Sequence, residues 1–162
     1  GVQTCALPIY RENSYLALTS FTHHPFGTYF PLEVPDNYFH DTFFNVPIDT
    51  LMYRIEQSVR AGHPVCWEGD ISEDGFLFAN GVAELDNDAQ QPTQVQRQEA
   101  FETYQTTDDH CMEIIGIAHN EKGYKYFICK NSWGKNNPFG GFMYLSYNYV
   151  RLKTIAAYMV RV

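Results

Sequence analysis

Tyr126-Phe127-Ile128-Cys129-Lys130-Asn131-Ser132-Trp133-Gly134 is the stretch on which the reading of this chain turns. An apolar run reads as a buried strand, and it ends in an Asn, a Trp two residues later and a Gly. Asp109-His110 lies about twenty positions upstream, at the start of another apolar run, Met112 to Ala118, and Glu121-Lys122-Gly123 supplies a turn between them. The two runs therefore form a hairpin. The start of one antiparallel strand lies beside the end of its partner, so His110 meets Asn131. An amide oxygen there can accept from one imidazole nitrogen and leave the other free for a proton transfer. Trp133, just beyond, can cover that bond and keep water off it.

Each piece alone has a plainer reading. A lone His at a strand start is more often a surface or capping residue, and Asn-Ser before Trp-Gly is more often a turn with an aromatic anchor. The combination at hairpin spacing points to a catalytic origin.

The rest of the chain bounds what that chemistry serves. The 162 residues suffice for one domain with a real core. Hydrophobic residues make up 44% and aromatic residues 16%, which excludes a disordered chain and favours sheet. The net charge of −8 comes without a basic patch, so no nucleic-acid partner is expected. No apolar run is long enough to span a bilayer, and no basic segment followed by an apolar one marks a signal peptide, which favours a cytoplasmic setting and no membrane partner. The four cysteines, Cys5, Cys66, Cys111 and Cys129, form no C-x-x-C pair, and the six histidines form no H-x-x-x-H pair. His23 and His24 are adjacent, and on an extended chain they would point opposite ways. No metal site is expected.

Gly1 to Ile9 is similar to the conceptual translation of a common sequencing-adapter read, and segment 1–9 is read as an assembly artefact standing in for the true upstream sequence. Residues 10–162 are read as one domain. Tyr15 to Leu18 predicts a strand; Pro25, Gly27, Pro31, Pro35 and Pro47 punctuate an extended connection. Asp49 is placed to cap a helix over Leu51 to Arg60, and Pro64 to Trp67 reads as a buried strand. Val95 to Tyr104 predicts a short helix, and Gly140-Gly141 precedes a strand from Phe142 to Leu145. Leu152 to Val160 predicts a last strand, with Arg151 and Lys153 as surface charges beside it. One main helix with several antiparallel strands makes the fold α+β, a twisted sheet or half-barrel.

The run Asp109-His110-Cys111-Met112-Glu113-Ile114-Ile115-Gly116-Ile117-Ala118, then Lys130 to Gly134, then Gly140-Gly141-Phe142 and Ser146, resembles the C-terminal half of a papain-like cysteine peptidase. It is most similar to the bleomycin hydrolase or aminopeptidase C branch. Ser20 to Phe26, Val34 to Asn37 and Trp67 to Asp70 share that likeness. The resemblance implies the β-rich right-hand half of the papain-like fold, with the half that bears the catalytic Cys lying upstream. It assigns His110 as general base and acid, Asn131 as its orienting partner and Trp133 as their cover. It implies removal of amino-terminal residues from peptide substrates, no bound cofactor, and a parent protein that assembles as a homo-oligomer. It also implies that a chain end can close the cleft, and Ile155 to Val162 departs from the branch's usual tail.

The nucleophile is the missing member. In the family the Cys opens a helix within a Gly-rich motif, well over a hundred residues before the His. Cys66-Trp67 follows a strand signal and lies 44 residues before His110, so Cys66 is read as a core thiol. Cys111 points away from His110 across its strand, Cys129 packs in an apolar run, and Cys5 falls in the adapter-like segment. Glu68 and Asp70 are two apart; a substrate ammonium is one use for them, and Asp70 bonding turn amides is the plainer one. His119 is expected to face solvent at the hairpin turn. Two rival functions stay open: acyl transfer by the same Cys-His-Asn set to an acceptor other than water, and a binding or regulatory module that has lost its Cys.

Overall fold

The computed structural model describes residues 14–161. The artefact reading of segment 1–9 and the position of Cys5 lie outside the described residues. The elements run β1 (Tyr15–Thr19), β2 (Tyr29–Pro31), β3 (Thr42–Asn45), α1 (Ile48–Arg60), β4 (Val65–Gly69), β5 (Phe76–Leu77), a 3-10 turn (Phe78–Asn80) and β6 (Val82–Ala83). They continue with α2 (Gln94–Glu102), β7 (His110–His119), β8 (Lys125–Asn131), β9 (Phe142–Ser146), α3 (Tyr147–Lys153) and β10 (Thr154–Val160). All ten strands join one sheet in the order β2-β3-β1-β10-β4-β7-β8-β9-β6-β5.

The sheet is mostly antiparallel but mixed, since β1–β3 and β6–β9 pair parallel. Of the three helices, α1 and α2 match the main helix and the short helix expected from Val95, and α3 was not expected. The longest, α1, carries its apolar residues at helical spacing and buries Leu51, Met52 and Ile55 completely. They join Val65 and Trp67 of β4, Met112 and Ile114 of β7, and Phe127 and Cys129 of β8 in the main core. Asp49 does not cap α1. The helix starts one turn earlier than predicted, after Pro47, and Asp49 sits in its first turn with its carboxylate on Arg151 at 2.7 Å.

The largest revision falls at the C-terminal end. The expected strand from Leu152 begins only at Thr154, because Ser146 caps the short helix α3 through a hydrogen bond accepted from the Tyr149 amide at 3.0 Å. Arg151 and Lys153 are consequently not surface charges but are 5% and 1% exposed. Arg151 is neutralised by Asp49 and Lys153 by Glu73. The reading failed because α3 buries an aromatic and two cations on one side, a pattern in which the apolar period is hidden.

The β7–β8 hairpin carries a bulge: Ile114 pairs with Cys129 and Gly116 with Ile128, leaving Ile115 over. Gly116 is where the neighbouring strand comes close; a Cβ there would lie 3.0 Å from Ile128 Cδ1.

Candidate active site

Register builds the site from the strands upward. In β7, Met112 and Ile114 face the core and Cys111 and Glu113 face away, so His110 shares the core-side face. In β8, Phe127, Cys129 and Asn131 are the buried positions, and Asn131 pairs with Met112. His110 and Asn131 are therefore diagonal neighbours on one face, close enough for long side chains to touch. They do: His110 Nε2 lies 2.8 Å from Asn131 Oδ1. Asn131 is 2% exposed, while His110 keeps one side open. An amide oxygen accepts only, so His110 Nε2 carries the hydrogen and donates it.

Trp133 lies beside the pair, its ring 4.9 Å from the His110 ring. Two aromatic edges hold it: Phe78 at 5.2 Å and Phe76 at 6.0 Å, both near perpendicular. Phe76 also stands edge-on to His110 at 6.5 Å. Neither phenylalanine was read from the sequence. They sit on the β5 segment and the turn after it, which join the sheet through β6 and β9 and carry no local motif.

The loop that presents Trp133 is tied by Asn137, another residue the sequence reading passed over. Its amide nitrogen donates to Phe78 O at 3.0 Å and Phe142 O at 2.9 Å, and its oxygen accepts from the Phe139 and Gly141 amides. Gly141 has φ +88°, and a Cβ there would lie 2.0 Å from Gly134 O, so the loop closes only over a glycine. Asn137-Pro138 is a turn signal that would have found this anchor.

On the other side, Asp70 fixes the approach to His110. It is fully buried, and its carboxylate accepts from Ser72 N, Ser72 Oγ, Thr107 N and Thr107 Oγ1. Burial pushes its carboxyl up, but the bonds from Ser72 and Thr107 and the Lys153 charge outweigh this and hold it below its ordinary value. Lys153 Nζ donates to Gln105 O at 2.7 Å, and Tyr149 Oη donates to Asp70 O at 2.9 Å. The buried groups of α3 and its end thus pin the segment leading into His110. Of the two carboxylates flanking Gly69, Asp70 has the turn-binding role expected of it. Glu68 remains half-buried, with Tyr158 Oη at 3.4 Å. Burial, with Asp108 and Asp36 nearby, pushes its carboxyl up to about 7. Asp108 is pushed up to about 6 by burial and its acidic neighbours Asp36 and Asp109.

Cys111 and Cys129 lie where the sequence put them, but Cys66 is not the core thiol expected, because its position in β4 turns it to the other face of the sheet. Cys66 pairs with Glu113 and faces away from the core side, its sulfur 3.4 Å from that of Cys111. Burial, helped by Glu68 and Glu113, pushes the Cys66 thiol up to about 12, the reverse of an activated nucleophile. Cys129 is fully buried in the core. His119 is exposed at the hairpin end.

His23 and His24 do not point opposite ways, because residues 22–24 form a turn rather than a strand. Both rings meet Glu33: His23 Nε2 lies 3.0 Å from Oε2 and His24 Nε2 2.6 Å from Oε1. These three are the group of described residues with ligand atoms close enough for a metal ion, all within 4.8 Å of one another. They belong to other segments than His110, the two histidines on the β1–β2 connection and Glu33 just after β2. A hollow of about 440 Å³ lies at the far end of the β7–β8 hairpin, lined by Glu84, Asp88, Glu121 and Tyr126 among others, away from His110 and Asn131.

Residues 12–157 match the model of the Peptidase C1-like family. The chain belongs to that family. Among solved structures, the crystal structure of PepW from Lactobacillus rhamnosis HN001 (DR20) superposes with a TM-score of 0.72 at 15% identity, covering 94% of this chain and 36% of PepW. That likeness shows that the described sheet and helices share the fold of part of PepW, and the chain spans about a third of that protein's length. A clostridial cysteine protease, Cwp84 after propeptide cleavage, matches over 67% of this chain and 26% of its own at 15% identity, with a TM-score of 0.47. No curated protein sequence matches the chain. Among the described residues no helix is long and apolar enough to cross a membrane.

Proposed function

We propose that this chain is the His/Asn-bearing half of a cysteine-type aminopeptidase of the bleomycin hydrolase or aminopeptidase C branch. The observation that carries the reading is the His110 Nε2–Asn131 Oδ1 hydrogen bond at 2.8 Å under the Trp133 ring. In this reading the nucleophilic Cys comes from an upstream half of the same protein, and peptide is the substrate.

The chemistry follows from the tautomer. With Nε2–H held by Asn131, the Nδ1 lone pair of His110 is the proton acceptor. It takes the thiol proton, the thiolate attacks the scissile carbonyl, and the proton passes to the departing amine. A water then gives a proton to Nδ1, its oxygen attacks the thioester, and the thiol recovers the proton as the acid leaves. Asn131 brings no charge, so it orients the ring without pinning the proton on it. Trp133, held by Phe76 and Phe78, keeps water from competing for the Asn131 oxygen.

The test is the parent protein, with its upstream sequence, assayed on aminoacyl-coumarin substrates. The reading expects thiol-sensitive release of coumarin that His110→Ala abolishes. The 162-residue chain alone is expected to release none. Turnover by the chain alone that disappears in Cys66→Ala would overturn the assignment of the nucleophile to the other half. An upstream sequence with no Cys preceding a Trp in a Gly-rich motif would instead favour the binding module.

A further inference from the structure

We propose that His23, His24 and Glu33 form a binding site for a single divalent transition-metal ion of the zinc class, separate from the His110 dyad. The turn at residues 22–24 brings two consecutive imidazoles to the same side, which a strand would forbid. Each presents Nε2 to a different oxygen of one carboxylate, at 3.0 and 2.6 Å. Two imidazoles and a carboxylate are a donor set that zinc takes in open, three-ligand sites. Ligand atoms around a tetrahedral zinc stand roughly 3.4 Å apart, from bond lengths of about 2.0–2.2 Å. The two imidazole–carboxylate separations need only open by under about 1 Å, and the ligand atoms all lie within 4.8 Å of one another.

The rings are already placed. His24 stacks on Phe30 at 4.1 Å and 24°, and His23 stacks on Phe101 at 5.7 Å and 14°. Phe30 is core, so the platform is fixed. The Glu33 carboxylate offers one oxygen to each imidazole, so both of its oxygens already face the ligand nitrogens. The three side chains keep between 27% and 54% of their surface, enough for an ion to enter and for water to complete its coordination.

The surroundings also set the strength. Gln98 Nε2 lies 3.1 Å from His23 Nδ1, and Gln98 Oε1 accepts from the Thr22 amide at 2.6 Å. The Gln98 amide therefore donates to Nδ1 and keeps the His23 hydrogen on Nε2, toward Glu33. A metal on Nε2 moves that hydrogen to Nδ1, where it needs an acceptor. The Glu102 carboxylate, 2.9 Å from the same Gln98 nitrogen, is the acceptor at hand once the amide turns aside. That rearrangement opposes binding, so the site is a moderate one, micromolar rather than structural. His24 and Glu33 are its strong ligands.

Titration of the 162-residue chain with cobalt(II) alone, read by calorimetry and by visible absorption, tests this. The expected result is one ion per chain, weakened at least tenfold by His24→Ala and separately by Glu33→Gln, with circular dichroism confirming that both variants fold. His119→Ala keeps full affinity. Binding that survives both variants, a thiolate-to-cobalt band showing cysteine ligation, or no binding at high micromolar cobalt would each overturn the proposal.

Discussion

Two histidine settings in this molecule differ in one respect, the group the ring leans on. His110 leans on a neutral amide that is 2% exposed, with the Trp133 indole 4.9 Å from its ring. His23 and His24 lean on a charged carboxylate that is half open to solvent. A carboxylate stabilises the protonated ring and attracts cations; an amide oxygen fixes which nitrogen bears hydrogen and leaves the charge state free. The second arrangement suits the proton transfer proposed for His110, since it fixes the tautomer without adding charge. Holding an ion calls for the first. The same side chain is committed to different chemistry by its partner.

The comparison breaks first at His110. In the parent protein, His110→Ala is expected to remove measurable turnover of aminoacyl-coumarins. Asn131→Ala, which leaves the base but frees the ring to turn, is expected to cost less, roughly 10–100-fold, by the usual weight of an orienting partner. Equal and small effects from the two would show that the pair is only structural.

The second break is in the support that only the His110 setting has. Asp70 gathers four hydrogen bonds from Ser72 and Thr107 while fully buried. Asp70→Ala orphans those buried donors and is expected to cost about 3 kcal/mol in a urea melt of the chain. A loss under about 1 kcal/mol would mean that the loop is held without it.

This support explains what was legible in the sequence and what was not. The hairpin, His110, Asn131 and Trp133 are local: periodicity, a turn and a short motif place them. The α+β class and the family resemblance were legible for the same reason. Phe76, Phe78 and Asn137 reach the site through the remote edge of the sheet, and partners roughly 60 residues apart in sequence leave no local trace. Arg151 and Lys153 were misread because a cation's burial depends on a partner elsewhere, here Asp49 and Glu73. The turn at residues 22–24 was misread because two adjacent histidines were given strand geometry that the chain does not have.

A smaller effect sharpens the contrast in charge. Glu68 is pushed up to about 7, from 4.5, mainly by burial. Its folded form holds the proton more tightly than the unfolded chain, so its contribution is complete below about pH 4.5 and is lost as pH rises through about 7. Glu68→Gln is therefore expected to stabilise the chain by about 1–3 kcal/mol at pH 8 and to leave it unchanged at pH 4. A variant equally stabilised at both pH values would place the effect outside ionisation.

The account rests most directly on which nitrogen of His110 bears the hydrogen when the ring is neutral. Nitrogen-15 NMR of the histidine-labelled chain, assigned with His110→Ala, reads this without any partner or substrate. The account predicts that His110 is the Nε2–H tautomer, that its Nε2 hydrogen exchanges slowly under Trp133, and that Asn131→Ala returns the ring to a mixture. A ring that is already a mixture in the unaltered chain, or one with its hydrogen on Nδ1, would contradict it.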